Sequence, residues 1–195
     1  MRQLCKHPLL AWRTQPEKRA SAMLRPYREQ FEILVAQRGG MFFWRLSPKA
    51  KKELGLDFKS VSPCSSRIEH WLSVGDLWQA LFHTGGKPHV FLAEPKHSAG
   101  FDVYVEWQGR AYLVEIQRTP LTTKAWTEKW DQRLDWYNAR AFEQAPWYRG
   151  VVPRPVLILK TEQEDSTVGL PKGALAFKSA DTFAKTVVFR KTGLQ

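Results

Sequence analysis

The sequence predicts an α/β fold, with a mixed central sheet and helices on its faces. Three observations predict it. Short apolar runs at 89–94, 101–107 and 111–119 follow one another with turn residues between them. Two longer stretches, Ser66–Phe82 and Thr123–Phe142, flank those runs and carry apolar residues at helical spacing. A further apolar run, VVPRPVLILK at 151–160, comes only after the second stretch. A helix between two strands is the ordinary route to parallel pairing. From Ser66 to Lys160 the order therefore reads α-β-β-β-α-β.

Taken from the start, residues 1–22 read as a basic arm, with Pro8 and Pro16 and no sustained period. Tyr27, Phe31, Leu34 and Val35 have helical spacing and predict a helix over Arg25–Arg38, stopped by Gly39 and Gly40. MFFWRLS (Met41–Ser47) predicts a short aromatic strand. Ser47 then suits an N-cap, Pro48 the first helical position and Gly55 a stop, which gives a short basic helix. Helix, glycine turn, strand and helix in that order fit part of a small winged-helix-like basic segment. Pro63 punctuates a polar linker at Lys59–Ser66, so the expected division is 1–60 and 61–195.

In the second part, Ile68, Trp71, Leu72, Leu77, Trp78, Leu81 and Phe82 form the stripe of the first long helix, which TGGKP ends. The runs 101–107 and 111–119 are joined by QGR, where Gly109 accepts a positive φ, so they predict a hairpin. Trp126, Trp130, Leu134, Tyr137 and Ala141 mark one face of the second long helix. The last stretch, ALAFKSADTFAKTVVFR, predicts a strand, a short helix and an edge strand.

Composition narrows the class of function. The 195 residues carry a net charge of +11, and residues 1–60 hold thirteen Lys or Arg against five Asp or Glu. A basic end of this kind suits a polyanion, most often nucleic acid. The expectation is sequence-tolerant contact with duplex or branched DNA through Arg25, Arg28, Arg38, Arg45, Lys49, Lys51 and Lys52. A basic surface that only maintains solubility is the plainer alternative. No apolar stretch approaches the roughly 18–20 residues of a membrane span, and PLLAW is too short for a signal-peptide core. Cys5 and Cys64 form no CxxC pair, so a cytoplasmic setting is expected. The five histidines lack a ligand spacing and no GxxxxGK[ST] occurs, which argues against zinc and nucleotide hydrolysis.

Two isolated acids, Asp102 and Glu115, interrupt the apolar runs of the hairpin. Burying a carboxylate costs several kcal/mol unless a partner compensates it. Glu115 and Gln117 are two apart and share a face, and pairing across the short turn brings Asp102 near Glu115. Two carboxylates, with the carbonyl of Ile116 and waters, suit Mg²⁺ or Mn²⁺. Ordinary surface salt bridges to Arg110 or Arg118 are the alternative. Glu94 is either a third ligand or the end of its strand. Gln117 would orient the attacking water. Lys129 and Arg133, four apart, either approach a phosphate or pair with Glu128, Asp131 and Asp135.

Asp102 followed by Glu115-Ile116-Gln117, in this strand order, resembles the PD-(D/E)XK nuclease core, a restriction-endonuclease-like αβββαβ fold. YLVEIQRTPLTTKAWTEKWDQRLDWY is similar to competence CoiA-type nuclease domains, and LVAQRGGMFFWRLSPKAKKELGL with IEHWLSVGDLWQALF is similar to the replication-relaxation family of plasmids and phages. The resemblance implies a metal-dependent DNA endonuclease of plasmid, phage or mobile-element processing, with Asp102, Glu115, Gln117 and Lys129 as its catalytic set. It also gives Glu69, in the first long helix, the place where related nucleases carry an acid. A homodimer would suit duplex cleavage, although no motif encodes one. Phe101 stands where the motif has proline and Gln117 where it has lysine. Both departures support a second reading, a non-catalytic DNA-binding replication or mobilisation accessory protein on a degenerate nuclease fold.

Overall fold

A computed structural model describes residues 22, 25–27, 31–35, 42–55, 67–159 and 174–192. The chain divides into two compact units, Met1–Leu72 and Ser73–Gln195.

In the first unit, β1 (Phe31–Val35) and β2 (Phe42–Leu46) form an antiparallel pair with Phe31 opposite Leu46 and Val35 opposite Phe42. The helix expected over Arg25–Arg38 is thus not formed: a 3-10 turn at Arg25–Tyr27 precedes a strand. The apolar positions fit a helical face, but Phe-Glu-Ile-Leu-Val also carries the aromatic and β-branched residues that favour a pleated surface. A partner strand seven residues further on decides between the two. The helical part of the winged-helix order is lost with it. Helix α1 (Pro48–Glu53) forms as expected, with the Ser47 hydroxyl accepting from Ala50 N at 3.1 Å and Pro48 at its start. Helix α2 (Ile68–Gly85) begins in this unit and continues into the next.

The second unit is built on a five-stranded sheet in the order β3 (Val90–Ala93), β4 (Val103–Trp107), β5 (Arg110–Gln117), β6 (Arg154–Leu159) and β7 (Leu175–Phe177). β3, β4 and β5 pair antiparallel, while β5–β6 and β6–β7 are parallel. The β4–β5 turn has Gln108 and Gly109 both at positive φ, 53° and 74°. Two positive φ values in a two-residue turn match the right-handed twist of the flanking strands. Trp107 therefore sits opposite Arg110, and the register is fixed along the whole hairpin. Its tip is tied to the end of α2, where Trp107 Nε1 donates to the Gly86 carbonyl at 2.8 Å. A Cβ at Gly85 would lie 2.6 Å from the Trp107 ring, so this approach needs glycine.

Helix α3 (Thr123–Asn138), started by the Thr122 cap, provides the crossover from β5 to β6. The α-β-β-β-α-β order is therefore observed. Helix α4 (Ala180–Thr192) is continuous where a short helix and an edge strand were expected. Phe183, Ala184 and Val187 all pack on the sheet, and a helix is what puts residues at that spacing on one face. On the α2 and α4 side, these residues and Leu77 and Leu81 cover Val103, Val105, Val114, Ile116, Val156 and Ile158. On the α3 side, Trp126, Trp130, Phe142 and Trp147 cover Tyr104, Ala111, Leu113 and Leu157. No helix of the described residues is long and apolar enough to cross a membrane.

Candidate functional site

The hairpin register places Val103 opposite Val114, so the next pair towards the open end is Asp102 with Glu115. β4 begins where β5 ends, and β6 ends beside β5 because the two are parallel. Ligands of open α/β sheets gather at such carboxyl ends. Both acids belong to the α3 side of the sheet, since Tyr104 and Leu113 of the same alternation pack there. The Asp102 Oδ2 atom accepts from the Ile116 N–H at 2.7 Å. N–H and C=O of one strand residue project to the same edge, so the Ile116 carbonyl faces this end as well.

Glu115 is 3% exposed and Gln117 6%. A carboxylate this deep needs compensation, and α3 supplies it. Lys129 and Arg133, one turn apart, both reach back to Glu115: Lys129 Nζ pairs with Oε1, and Arg133 Nη2 with Oε2 at 2.8 Å. Lys129 also donates to Gln117 Oε1 at 2.9 Å, while the Gln117 amide donates to the Thr119 carbonyl. Gln117 is thus used at both ends, and its acceptor holds an ammonium.

Arg133 lies in the buried stripe of α3 with Trp126 and Trp130, so among the contacts of the described residues it pairs with Glu115 and with none of Glu128, Asp131 and Asp135. Its guanidinium lies over Phe101 at 4.8 Å and Trp130 at 5.4 Å from the ring centres, an arrangement that weakly hydrated guanidinium favours. It also donates to the carbonyls of Ala99 and Gly100. At 5% exposure it is a tie between α3, β5 and the β3–β4 loop. Its Nη1 finds no acceptor among the described residues. Lys129 retains 28% exposure, which makes it the accessible cation of the pair.

Burial, followed by the negative charge of Glu115, pushes the Asp102 carboxyl up to about 7. Two carboxyls sharing a half-dry place hold either a proton or a cation. Asp102, Glu115 and the Ile116 carbonyl are a hard oxygen set that fits a hydrated Mg²⁺ or Mn²⁺, ions which use few protein ligands and keep water. Among the described residues no group of three or more His, Cys, Asp or Glu converges on a metal position. Glu94 follows β3, and its N–H donates to the Asp102 carbonyl at 2.7 Å. Its φ of 47° leaves the strand conformation there. Beside it, a pocket of about 370 Å³ lies against the β3–β4 loop from Glu94 to Asp102.

Of the other anticipated residues, Glu69 is exposed on the first turn of α2. Arg25, Lys49 and Lys52 are exposed and Lys51 is half-buried. Arg45 lies on β2, and Arg28 and Arg38 lie outside the described residues. Asp102, Glu115, Gln117 and Lys129 are brought together as a group, and Arg133 joins them from below the surface. Phe101, Ala99 and Gly100 were not anticipated. Their one signal in the sequence is HSAG, small residues before an aromatic, where a loop presents its carbonyls inward. No family model, characterised protein or solved structure matches this chain.

Proposed function

We propose that the chain is a divalent-metal-dependent deoxyribonuclease, with DNA drawn to it by the basic residues of its first 60 positions. The observation that carries this reading is the meeting of Asp102 and Glu115 at one strand end with the Lys129 ammonium beside them. Asp102, Glu115 and the Ile116 carbonyl would hold Mg²⁺ or Mn²⁺. A divalent ion there polarises a phosphoryl oxygen and lowers the pKa of bound water. Lys129 faces the phosphate, since it keeps a partly exposed ammonium, and it stands in for the lysine that Gln117 replaces. Gln117 orients Lys129 rather than water, because its Oε1 accepts from that ammonium.

A second reading, a DNA-binding accessory protein without catalysis, has one observation in its favour. Both Glu115 oxygens are already paired with cations from α3, so that carboxylate is neutralised without a metal. One experiment separates the readings: nicking of supercoiled and four-way-junction DNA with Mn²⁺, set beside calorimetric Mn²⁺ titration. Wild type should bind Mn²⁺ and nick. Asp102→Asn and Lys129→Met, which leave the Arg133–Glu115 pair in place, should lose about a hundredfold or more in rate and keep DNA affinity. Equal nicking in all three proteins would place the activity elsewhere, and absence of both Mn²⁺ binding and nicking would favour the accessory protein.

A further inference from the structure

Lys129 and Arg133 both neutralise Glu115, but only Arg133 is built to stay there. Its side chain is 5% exposed and lies over the rings of Phe101 and Trp130. Besides Glu115 Oε2 at 2.8 Å, it holds the carbonyls of Ala99 and Gly100. Moving it would strand three acceptors at once. Lys129 is held differently. Its side chain is 28% exposed, and its two acceptors, Glu115 Oε1 and Gln117 Oε1, are both side-chain oxygens. An ammonium on a flexible four-carbon stem carries three rotatable donors and needs no fixed plane. It changes partner by side-chain rotation alone, while the buried Trp130 and Arg133 keep α3 in place.

Neither partner exchange is favourable by itself. If the ammonium turned to a phosphate alone, Glu115, whose side chain is 5% exposed, would keep a desolvated oxygen without a donor. If a divalent cation came alone, it would meet the ammonium at the same carboxylate, and like charges this close repel. Each cost is offset when the two arrive together, because the phosphate takes the ammonium and the cation takes the carboxylate oxygen. Two ligands that each remove the obstacle to the other bind with positive coupling, and that coupling is reciprocal. Gln117 fits such a hand-over. Its amide is anchored on the Thr119 carbonyl, and its Oε1 offers the ammonium a neutral acceptor beside the charged one.

We propose that Lys129 is a switch that occupies the Glu115 carboxylate until a nucleic-acid phosphate draws its ammonium away, so that DNA and the divalent cation bind with positive coupling. The proposal rests on the deoxyribonuclease reading above and deepens it by assigning how the site is regulated. Without DNA, Lys129 keeps the carboxylate engaged and a divalent cation is held weakly. With DNA bound, the same carboxylate is released. Lys129 thereby restricts tight binding of a water-activating ion to the complex in which a phosphodiester is already in place.

The test compares the Mn²⁺ affinity of the full chain without DNA and with saturating DNA, read by electron paramagnetic resonance of the free ion. The DNA is a phosphorothioate duplex, chosen to resist cleavage, and its binding is checked first by fluorescence anisotropy in EDTA. In wild type it should tighten Mn²⁺ by about tenfold or more. In Lys129→Met, with its fold checked by circular dichroism, Mn²⁺ should bind more tightly from the start, and the gain from DNA should be at least about fivefold smaller. Attraction of Mn²⁺ to the DNA itself is common to both proteins and cancels in that comparison. Lys129→Gln repeats it if the methionine variant does not fold. An equal gain in wild type and variant, or no gain in wild type with the duplex bound, would overturn the switch and leave the nuclease reading standing. Failure of wild type to bind the duplex, or to bind Mn²⁺ with or without it, would overturn the nuclease reading as well.

Discussion

The two faces of β5 are buried to the same degree, and over its last four residues they hold opposite chemistry. Val114 and Ile116, 0% and 4% exposed, face α2 and α4, while Glu115 and Gln117, 3% and 6% exposed, face α3. Burial alone therefore says little about what a position does. The apolar face requires shape, and small losses of volume cost in proportion. The polar face requires partners for each charged atom, and a single missing partner leaves a desolvated charge behind. Strands with two buried faces ordinarily read as unbroken apolar runs. The break in the apolar run of β5 at Glu115 and Gln117 is thus the mark of a strand end kept polar for a reason.

The largest effect expected from this contrast is at Arg133. Arg133→Met keeps much of the volume but leaves Glu115 Oε2 and the Ala99 and Gly100 carbonyls without their donor. Removing one partner of a buried pair costs about 3–5 kcal/mol. Ile116→Val, one residue from Glu115 on the opposite face, should cost only about 0.5–1.5 kcal/mol. Urea unfolding of both variants measures the difference. Similar losses would mean that the Arg133 tie contributes no more than ordinary packing.

A smaller effect should follow pH. The Asp102 carboxyl, ordinarily at 3.8, is pushed up to about 7 first by burial and then by Glu115. The folded state therefore holds this proton more tightly than the unfolded chain. Its contribution to stability is complete below about pH 4, declines as pH rises towards 7 and is absent above, an effect on the order of a few kcal/mol. Other carboxylates titrate in the same range, so the readout is wild type minus Asp102→Asn. Urea melts at pH 5 and pH 8 should show wild type losing more stability on the alkaline side than the variant. Parallel pH profiles would mean that Asp102 is not shifted.

How much of this was legible in the sequence depends on how far apart the deciding residues lie. Strand and helix periods are local, so the order from α2 to β6 could be read directly. The Gln108–Gly109 turn sets a register, and that register alone puts Asp102 opposite Glu115. Lys129 and Arg133 could be picked out by their spacing, but not told apart. Which of them is buried depends on Phe101 and Trp130, which come together only in the fold. The strand at 31–35 was misread because its partner, not its own period, determines it. The end of α4 was misread for a similar reason: TVVFR favours strands locally, yet Val187 completes a helical stripe begun at Ala180. The positive-φ loop from Glu94 to Gly100 leaves almost no local trace, since only Gly100 is a residue that favours such angles.

A smaller effect on stability than at Arg133, and the sharpest on function, is expected at Lys129. Its ammonium is 28% exposed, but the Glu115 carboxylate it holds is 5% exposed, so its loss leaves one buried oxygen without a partner at a cost of about 1–3 kcal/mol. Arg133 still holds the other oxygen, so Lys129→Met should lower the urea midpoint less than Arg133→Met one turn away. The same ammonium occupies Glu115 Oε1 and so competes with a divalent ion for that carboxylate. Without it the ion meets one competing cation fewer, with Arg133 still on Oε2, so Mn²⁺ should bind more tightly, by about fivefold or more for a charge pair this close. Nicking should nevertheless fall, because the proposed phosphate contact is gone. Calorimetric Mn²⁺ titration and the nicking assay on one preparation of the variant give both readouts. Tighter metal with slower nicking supports an ammonium that yields Glu115 to the ion and turns to the substrate. Weaker metal binding would instead make Lys129 a support of the carboxylate, no different in kind from Arg133.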